Sequence, residues 1–230
     1  MSRGSKIGVI VVLLLVLVFG VGQFFTSSIN QNSSPQTTQS ATSTTTQTQT
    51  PPTQVVAYVP PQIASGAPTM NGSCWTNSIA APYRVDAWRC TVGNSIQDPC
   101  FQIPNSKKLL CGMNPANPDA TSTFVLNLTQ PLPQAEPIEG GVPSNWAWLV
   151  ELSDGTLCSP FTGTRPFTAS GQSANYGCAP GPLGNNLMIF GDLNASSSVW
   201  MADVGTLSQS TSSLPTLQSS TEVPVTEVWQ

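Results

Sequence analysis

The 230-residue chain contains no histidine. That absence removes Ser-His-Asp and Cys-His nucleophilic sites, His-ligated zinc and proximal-His haem. Charge is nearly as scarce. Charged residues are 8% of the chain, against roughly 25% in an ordinary soluble domain. The net charge of −4 offers no electrostatic footprint for nucleic acid, and none is expected as a partner. With 21 prolines and 18 glycines, long uninterrupted helices are disfavoured. No cofactor is implied, and the sequence points away from an enzyme.

What charge there is has an order. Arg3 and Lys6 are the only charged side chains before Arg84. Beyond residue 83, 5 basic and 11 acidic residues give −6, and the +2 stub restores −4. Between stub and remainder lies an apolar run. Residues 7–22 (IGVIVVLLLVLVFGVG) are 16 consecutive uncharged residues, and Phe24 and Phe25 extend the run to 19. As a helix it would span about 24–29 Å, close to a hydrocarbon core of about 30 Å. The run predicts a transmembrane helix at 7–25 with a cytoplasmic stub at 1–6, since the basic residues stay inside. A cleaved signal peptide fits less well. Its apolar region is usually about 7–15 residues and ends at a small-x-small site, where this chain has only Gly20 and Gly22. In either case the rest of the chain lies outside the cytoplasm, and the membrane is a partner.

Next comes a polar spacer. From Thr26 to Gln54, Ser, Thr and Gln fill 22 of 29 positions, with no charge and no aromatic. Such a segment cannot bury enough apolar surface to offset its ordering entropy. It predicts a disordered linker over 26–69, stiffened towards its end by Pro51, Pro52, Pro60 and Pro61. Asn32, Asn71, Asn127 and Asn194 begin N-x-[ST] triplets, which this composition produces by chance.

The apolar residues, aromatics and cysteines that follow predict a folded domain over 70–206 and a loose tail over 207–230. In the tail, VPVTEVW alternates as a final edge strand would. The fold class expected is mainly β (a β-rich α+β domain), small, disulfide-stapled and extracytoplasmic, with one short helix. Six cysteines, Cys74, Cys90, Cys100, Cys111, Cys158 and Cys178, lie where disulfides persist. Fifteen pairings are possible. Nearest-neighbour pairing (74–90, 100–111, 158–178) is expected, because each bond closes a short segment rich in turn residues. None shows the C-x-x-C spacing of a metal site.

WAWLVEL (146–152) and TLCSPF (156–161) flank Asp154-Gly155, a strong hairpin signal. LMIFGD (187–192) and SVWMADV (198–204) predict a second hairpin, and STFVLNL (122–128) another strand. A helix is predicted over 84–92. Val85, Trp88 and Val92 would share one face, with Gly93 as its C-terminal cap.

The segment CWTNSIAAPYRVDAWRCTVGNSIQDPCF (74–101), with DAWRC at 86–90, GNSIQDPCF at 93–101 and a later Asn175-Tyr176-Gly177-Cys178, resembles uncharacterised bacterial secreted or membrane-anchored proteins with a Cys-rich domain. The resemblance covers about half of the folded domain. It implies an envelope location and a disulfide framework, and no reaction.

Asp86, Arg89 and Asp98 lie in the densest motif, near Trp75 and Trp88. They could grip a ligand, or act as acid and base. The plainer reading is scaffold, with Arg89 paired to Asp86 and Asp98-Pro99 opening a turn. Trp146 and Trp148, two apart on an expected strand, would share a face. Exposed, that face would bind sugar or peptide; covered, it is core. Candidate ligand-binding residues are therefore Trp75, Asp86, Trp88, Arg89, Trp146 and Trp148. Asp192, Asn194, Ser196 and Asp203 fit a calcium-loop template, but Ser197 stands where glycine is required, and no metal is assigned.

The function expected is a non-enzymatic binding or interaction module of the cell envelope, anchored by a single span and meeting glycan, peptide or protein outside. The alternative is a glycan or cell-wall hydrolase with two acids about 5–10 Å apart, drawn from Asp86, Asp98, Glu151, Asp154, Asp192 and Asp203. A third reading makes the domain a spacer or assembly module.

Overall fold

The computed structural model describes residues 50–61, 67–114, 122–135, 142–180, 186–208 and 216–230, and every regular element among them is a β-strand. The stub (1–6), the membrane helix (7–25) and linker residues 26–49 lie outside these residues. Among the described residues, no helix is long and apolar enough to cross a membrane.

A short first strand, β1 (Gln54–Val56), precedes two closed rings. The first is an antiparallel meander of β2 (Thr69–Asn77), β3 (Ala87–Val92), β4 (Ser95–Gln102), β5 (Lys108–Cys111) and β6 (Phe124–Leu128). With an odd number of strands, the first and last run the same way, so this ring closes in parallel. Thr69 to Gly72 pairs with Val125 to Leu128. The second meander is β7 (Leu149–Leu152), β8 (Leu157–Pro160), β9 (Ala174–Cys178), β10 (Met188–Asn194), β11 (Trp200–Leu207) and β12 (Leu217–Trp229). Its even number makes the closing pair antiparallel, with Val228 opposite Val150. Outside this ring, β1 adds in parallel to β12.

All three disulfides form in the nearest-neighbour pattern, Cys74–Cys90, Cys100–Cys111 and Cys158–Cys178. Each joins residues directly opposite on adjacent strands, β2–β3, β4–β5 and β8–β9. Two staple the first ring and one the second; none crosses between rings.

The expected helix at 84–92 is not formed. Ala87 to Val92 is strand β3, and Val85 is 69% exposed. Trp88 and Val92 are four apart, a spacing that suits one face of either a helix or a strand. Cys90 decides between them. It lies on the Trp88–Val92 face only at a period of two, and all three residues pack in the first ring. Gly93 serves a two-residue hairpin, not a helix cap. Val92 pairs with Ser95, and Gly93 takes φ 58° at the first central position. At the other hairpin, the Gly155 N–H donates to the Leu152 carbonyl, the Leu152 N–H donates to the Thr156 carbonyl, and only Gly155 (φ 83°) needs left-handed backbone. The expected hairpin is formed, with Ser153, Asp154 and Gly155 as a three-residue loop that ends in a glycine bulge.

The strands extend beyond 70–206 at both ends, to β1 and β12. Residues 223–229 are not an edge. Val225 faces Trp200 on one side and Leu152 on the other. The half of β12 before them, LQSSTE, has the composition of a loop. Its backbone is held by β11, so its side chains carry no signal of pairing.

The rings meet through an aromatic cluster. Tyr58, Phe101 and Trp148 stand 5.0–5.1 Å apart between ring centroids. Arg84 closes it, its guanidinium 4.8 Å from the Phe101 centroid. Its Nε and Nη2 donate to Asp86 at 2.9 and 2.7 Å, and Nη1 donates to the carbonyls of Tyr58 and Gln230 at 2.5 and 3.0 Å. Burial pushes the Tyr58 phenol up to about 12, against the opposing pull of Arg84.

Two stability predictions follow from these ties. Replacing Cys158 and Cys178 together by alanine should cost about 3 kcal/mol; an unchanged urea midpoint for the full chain would mean that the second ring does not depend on its staple. Arg84→Lys keeps the charge but loses the planar fork. It should destabilise the domain by about 2 kcal/mol in the same assay, whereas a lysine as good as arginine would show that charge alone suffices.

Candidate functional site

The densest motif builds scaffold, though not with the partners expected. Arg89 does not pair with Asp86; it bonds Asp98 at 2.8 Å, while Asp86 belongs to Arg84. Asp98-Pro99 opens no turn. The bond is cis and lies within β4. The Asp98 side chain is 2% exposed. It accepts from Ser78 Oγ and from the backbone N–H groups of Ile79 and Ala80 at 3.2 and 3.3 Å. Ser78 Oγ in turn accepts from Ala81.N at 2.7 Å. A buried carboxylate is tolerated when it is this fully bonded. Together, Asp98 at one end and Arg84 at the other fix the loop 78–84 between β2 and β3.

That loop carries Tyr83 to Trp146. The two rings meet edge-on at 5.2 Å and 74°. They form one wall of a cleft of about 330 Å³, with Pro82, Pro143 and Pro160 also lining it. Arg165, Asn175, Tyr176, Asp192 and Asn145, whose Nδ2 donates to the Leu193 carbonyl at 3.0 Å, supply its polar side chains. Asn175 Nδ2 donates to Gly191.O at 2.8 Å and to Asp192 Oδ1 at 3.2 Å, and its Oδ1 accepts from Arg165 Nη1 at 3.4 Å. Tyr176 is buried, its hydroxyl donating to Ala147.O. Burial holds its pKa up at about 12, so it stays a neutral phenol.

The other candidate residues are elsewhere. Trp88 is 3% exposed inside the first ring, and Trp148 is 2% exposed in the inter-ring cluster. Trp146 and Trp148 precede β7; Trp148 is buried in the inter-ring cluster, and Trp146 packs against that cluster from outside, only partly buried and meeting Tyr83. Trp75 is exposed, with the Arg89 guanidinium 5.9 Å from its centroid. A second cavity of about 480 Å³ lies between the rings, lined by Pro99, Met113, Asn114 and Trp148 among others. Trp148 Nε1 and Asn114 Oδ1 have no partner there, but both atoms are shielded from solvent. The aromatic and polar cleft residues missed in the sequence include Tyr83, Asn145 and Arg165. Asn175 and Tyr176 stood in the quoted Asn-Tyr-x-Cys motif, and Asp192 among the candidate acids.

Most of the acids considered for hydrolysis have structural duties. Asp86 and Asp98 are ion-paired, Asp154 accepts from Thr156 Oγ1 and N within its turn, and Asp192 accepts from Asn175. Glu151 and Glu227 are cross-strand neighbours on β7 and β12. They sit side by side, not across a cleft.

No family model matches the chain, and neither does any curated protein or solved structure.

Desolvation, and then the Glu151 charge, raises the Glu227 pKa above its ordinary 4.5. The folded state therefore binds this proton more tightly than the unfolded one, and the group's contribution to stability falls as pH rises through the folded pKa. Glu227→Gln should raise the urea midpoint at neutral pH, and the gain should vanish as pH falls below 4.5. A gain that persists undiminished in acid would point to packing instead.

Proposed function

We propose that this chain is a non-enzymatic binding module of a cell envelope. Residues 7–25 anchor it in the membrane, residues from Thr26 space it from the surface, and the two-ring domain displays the Tyr83–Trp146 cleft outside. Three disulfides support an oxidising location. The observation that carries the reading is a contrast. Asp86 and Asp98 are locked in scaffold ion pairs, while the cleft combines aromatic faces with a few convergent polar groups, the usual make-up of a ligand site.

The carboxylate hydrolase is the lesser reading. It needs two acids facing each other across a groove, and the neighbouring carboxylates of Glu151 and Glu227 lie along adjacent strands.

The test is retention of the full chain, in detergent, on washed envelope from its own cells. Wild type should be retained. A Tyr83→Ala, Trp146→Ala double variant should be lost from the envelope while its six cysteines remain oxidised. Equal retention of both proteins would remove the cleft from the function.

A further inference from the structure

The polar side of the cleft has a composition that narrows its ligand. Arg165 and Asp192 bring one positive and one negative charge, so together they are neutral. Asn175 sits between them and is fixed on both sides. Its Nδ2 is held by Gly191.O and Asp192 Oδ1, and its Oδ1 by Arg165 Nη1. It acts as a spacer that sets a guanidinium and a carboxylate beside one another. Asp192 keeps its second oxygen as an acceptor, and Arg165 keeps N–H donors beyond the one it spends on Asn175.

A donor-rich group beside an acceptor-only group suits a partner that both gives and takes hydrogen bonds over a short distance. A vicinal diol does this, one hydroxyl donating to Asp192 and the next accepting from Arg165. An anion would be repelled by Asp192, and a cation by Arg165. The cleft is also lined by the aromatic rings of Tyr83 and Trp146. The C–H face of a pyranose is apolar and carries weak positive charge, and it meets the negative π-face of Trp146 or Tyr83 favourably. At about 330 Å³ the cleft lies at the small end of ligand sites, which fits one or two sugar rings more readily than a folded partner.

We infer that the Tyr83–Trp146 cleft takes a neutral saccharide, stacked on Trp146 and bonded through a vicinal diol to Asp192 and Arg165. The inference rests on the binding-module reading and names its ligand class. Asp98, Arg89 and Arg84 act through the loop 78–84 and are positioning residues.

The test uses the full chain in detergent, labelled with 5-fluorotryptophan and followed by fluorine NMR. Trp146 is assigned by its loss in Trp146→Phe, and the buried Trp88 and Trp148 signals report the fold in the same spectrum. Cellotriose, mannotriose and triacetylchitotriose are titrated separately, beside polygalacturonate and an oligoproline peptide. A shift of the Trp146 signal with at least one neutral trisaccharide, weakened about tenfold or more in Asp192→Asn with Trp88 and Trp148 unmoved, is the expected result. A shift with polygalacturonate alone would overturn the neutral ligand, and a shift with oligoproline alone would overturn the saccharide; either would leave the cleft as a binding site. If no probe moves Trp146 and envelope retention survives the Tyr83/Trp146 double variant, both readings fall.

Discussion

A guanidinium offers five N–H donors in one plane, and Arg84 uses that plane to bring distant parts of the chain together. Two bonds reach Asp86, one reaches the carbonyl of Tyr58 before the first ring, and one reaches the carbonyl of Gln230 after β12. Its face lies on Phe101, in the cluster that joins the rings. No disulfide crosses that junction. The rings are therefore held together by aromatic packing, by hydrogen bonds that this side chain organises, and by Arg89, whose Nη1 donates to the Thr162 carbonyl at 2.8 Å. A lysine supplies the charge but not the geometry.

Ring closure explains why so small a charge complement is sufficient. A sheet edge presents unpaired N–H and C=O groups that must be protected, often by charged side chains. Here the parallel β2–β6 pair and the antiparallel β12–β7 pair close both rings, and among the described residues only β1 and the 217–224 part of β12 are left paired on one side in the second sheet. The disulfides then lie along the ladders, where opposite residues are already in register. They reinforce pairs the meander makes anyway, and they limit the unfolded chain. The cleft follows from the same design. It lies where the fixed loop 78–84 reaches the approach to β7, with Tyr83 from one and Trp146 from the other.

The parts of this arrangement that were legible in the sequence are the local ones. Cysteines separated by a short turn-bearing segment on alternating strands have few neighbours to choose, and the sequence order of strands is their spatial order. The β7–β8 and β10–β11 hairpins were visible for the same reason, whereas the Gly93 turn between β3 and β4 looked like a helix cap. The helix at 84–92 was misread because Trp88 and Val92 satisfy both periods, and Cys90 was counted as a staple rather than as a member of a face. The length of β12 was hidden because LQSSTE pairs through its backbone. The cleft was hidden because nothing local links Tyr83 to Trp146, 63 positions along the chain. Their contact depends on Asp98 fixing Ser78 to Ala80, and the motif that looked like a site proved to be what holds one residue of the site.

The electrostatic consequence runs through fold and site alike. Among the described residues the ion pairs are Arg84–Asp86 and Arg89–Asp98, both at least half-buried and both bonded to backbone as well. Buried pairs are screened little by salt, so ionic strength acts weakly on these two ties. A neutral cleft gains nothing from long-range steering, which needs a net field. In the proposed binding module, recognition would have to come from short-range contact: an aromatic face, a fixed amide and two opposite charges that cancel at a distance but remain distinct at hydrogen-bond range. Such a site discriminates by shape and by hydrogen-bond pattern. Closed rings, covalent staples and a fixed loop keep that pattern constant.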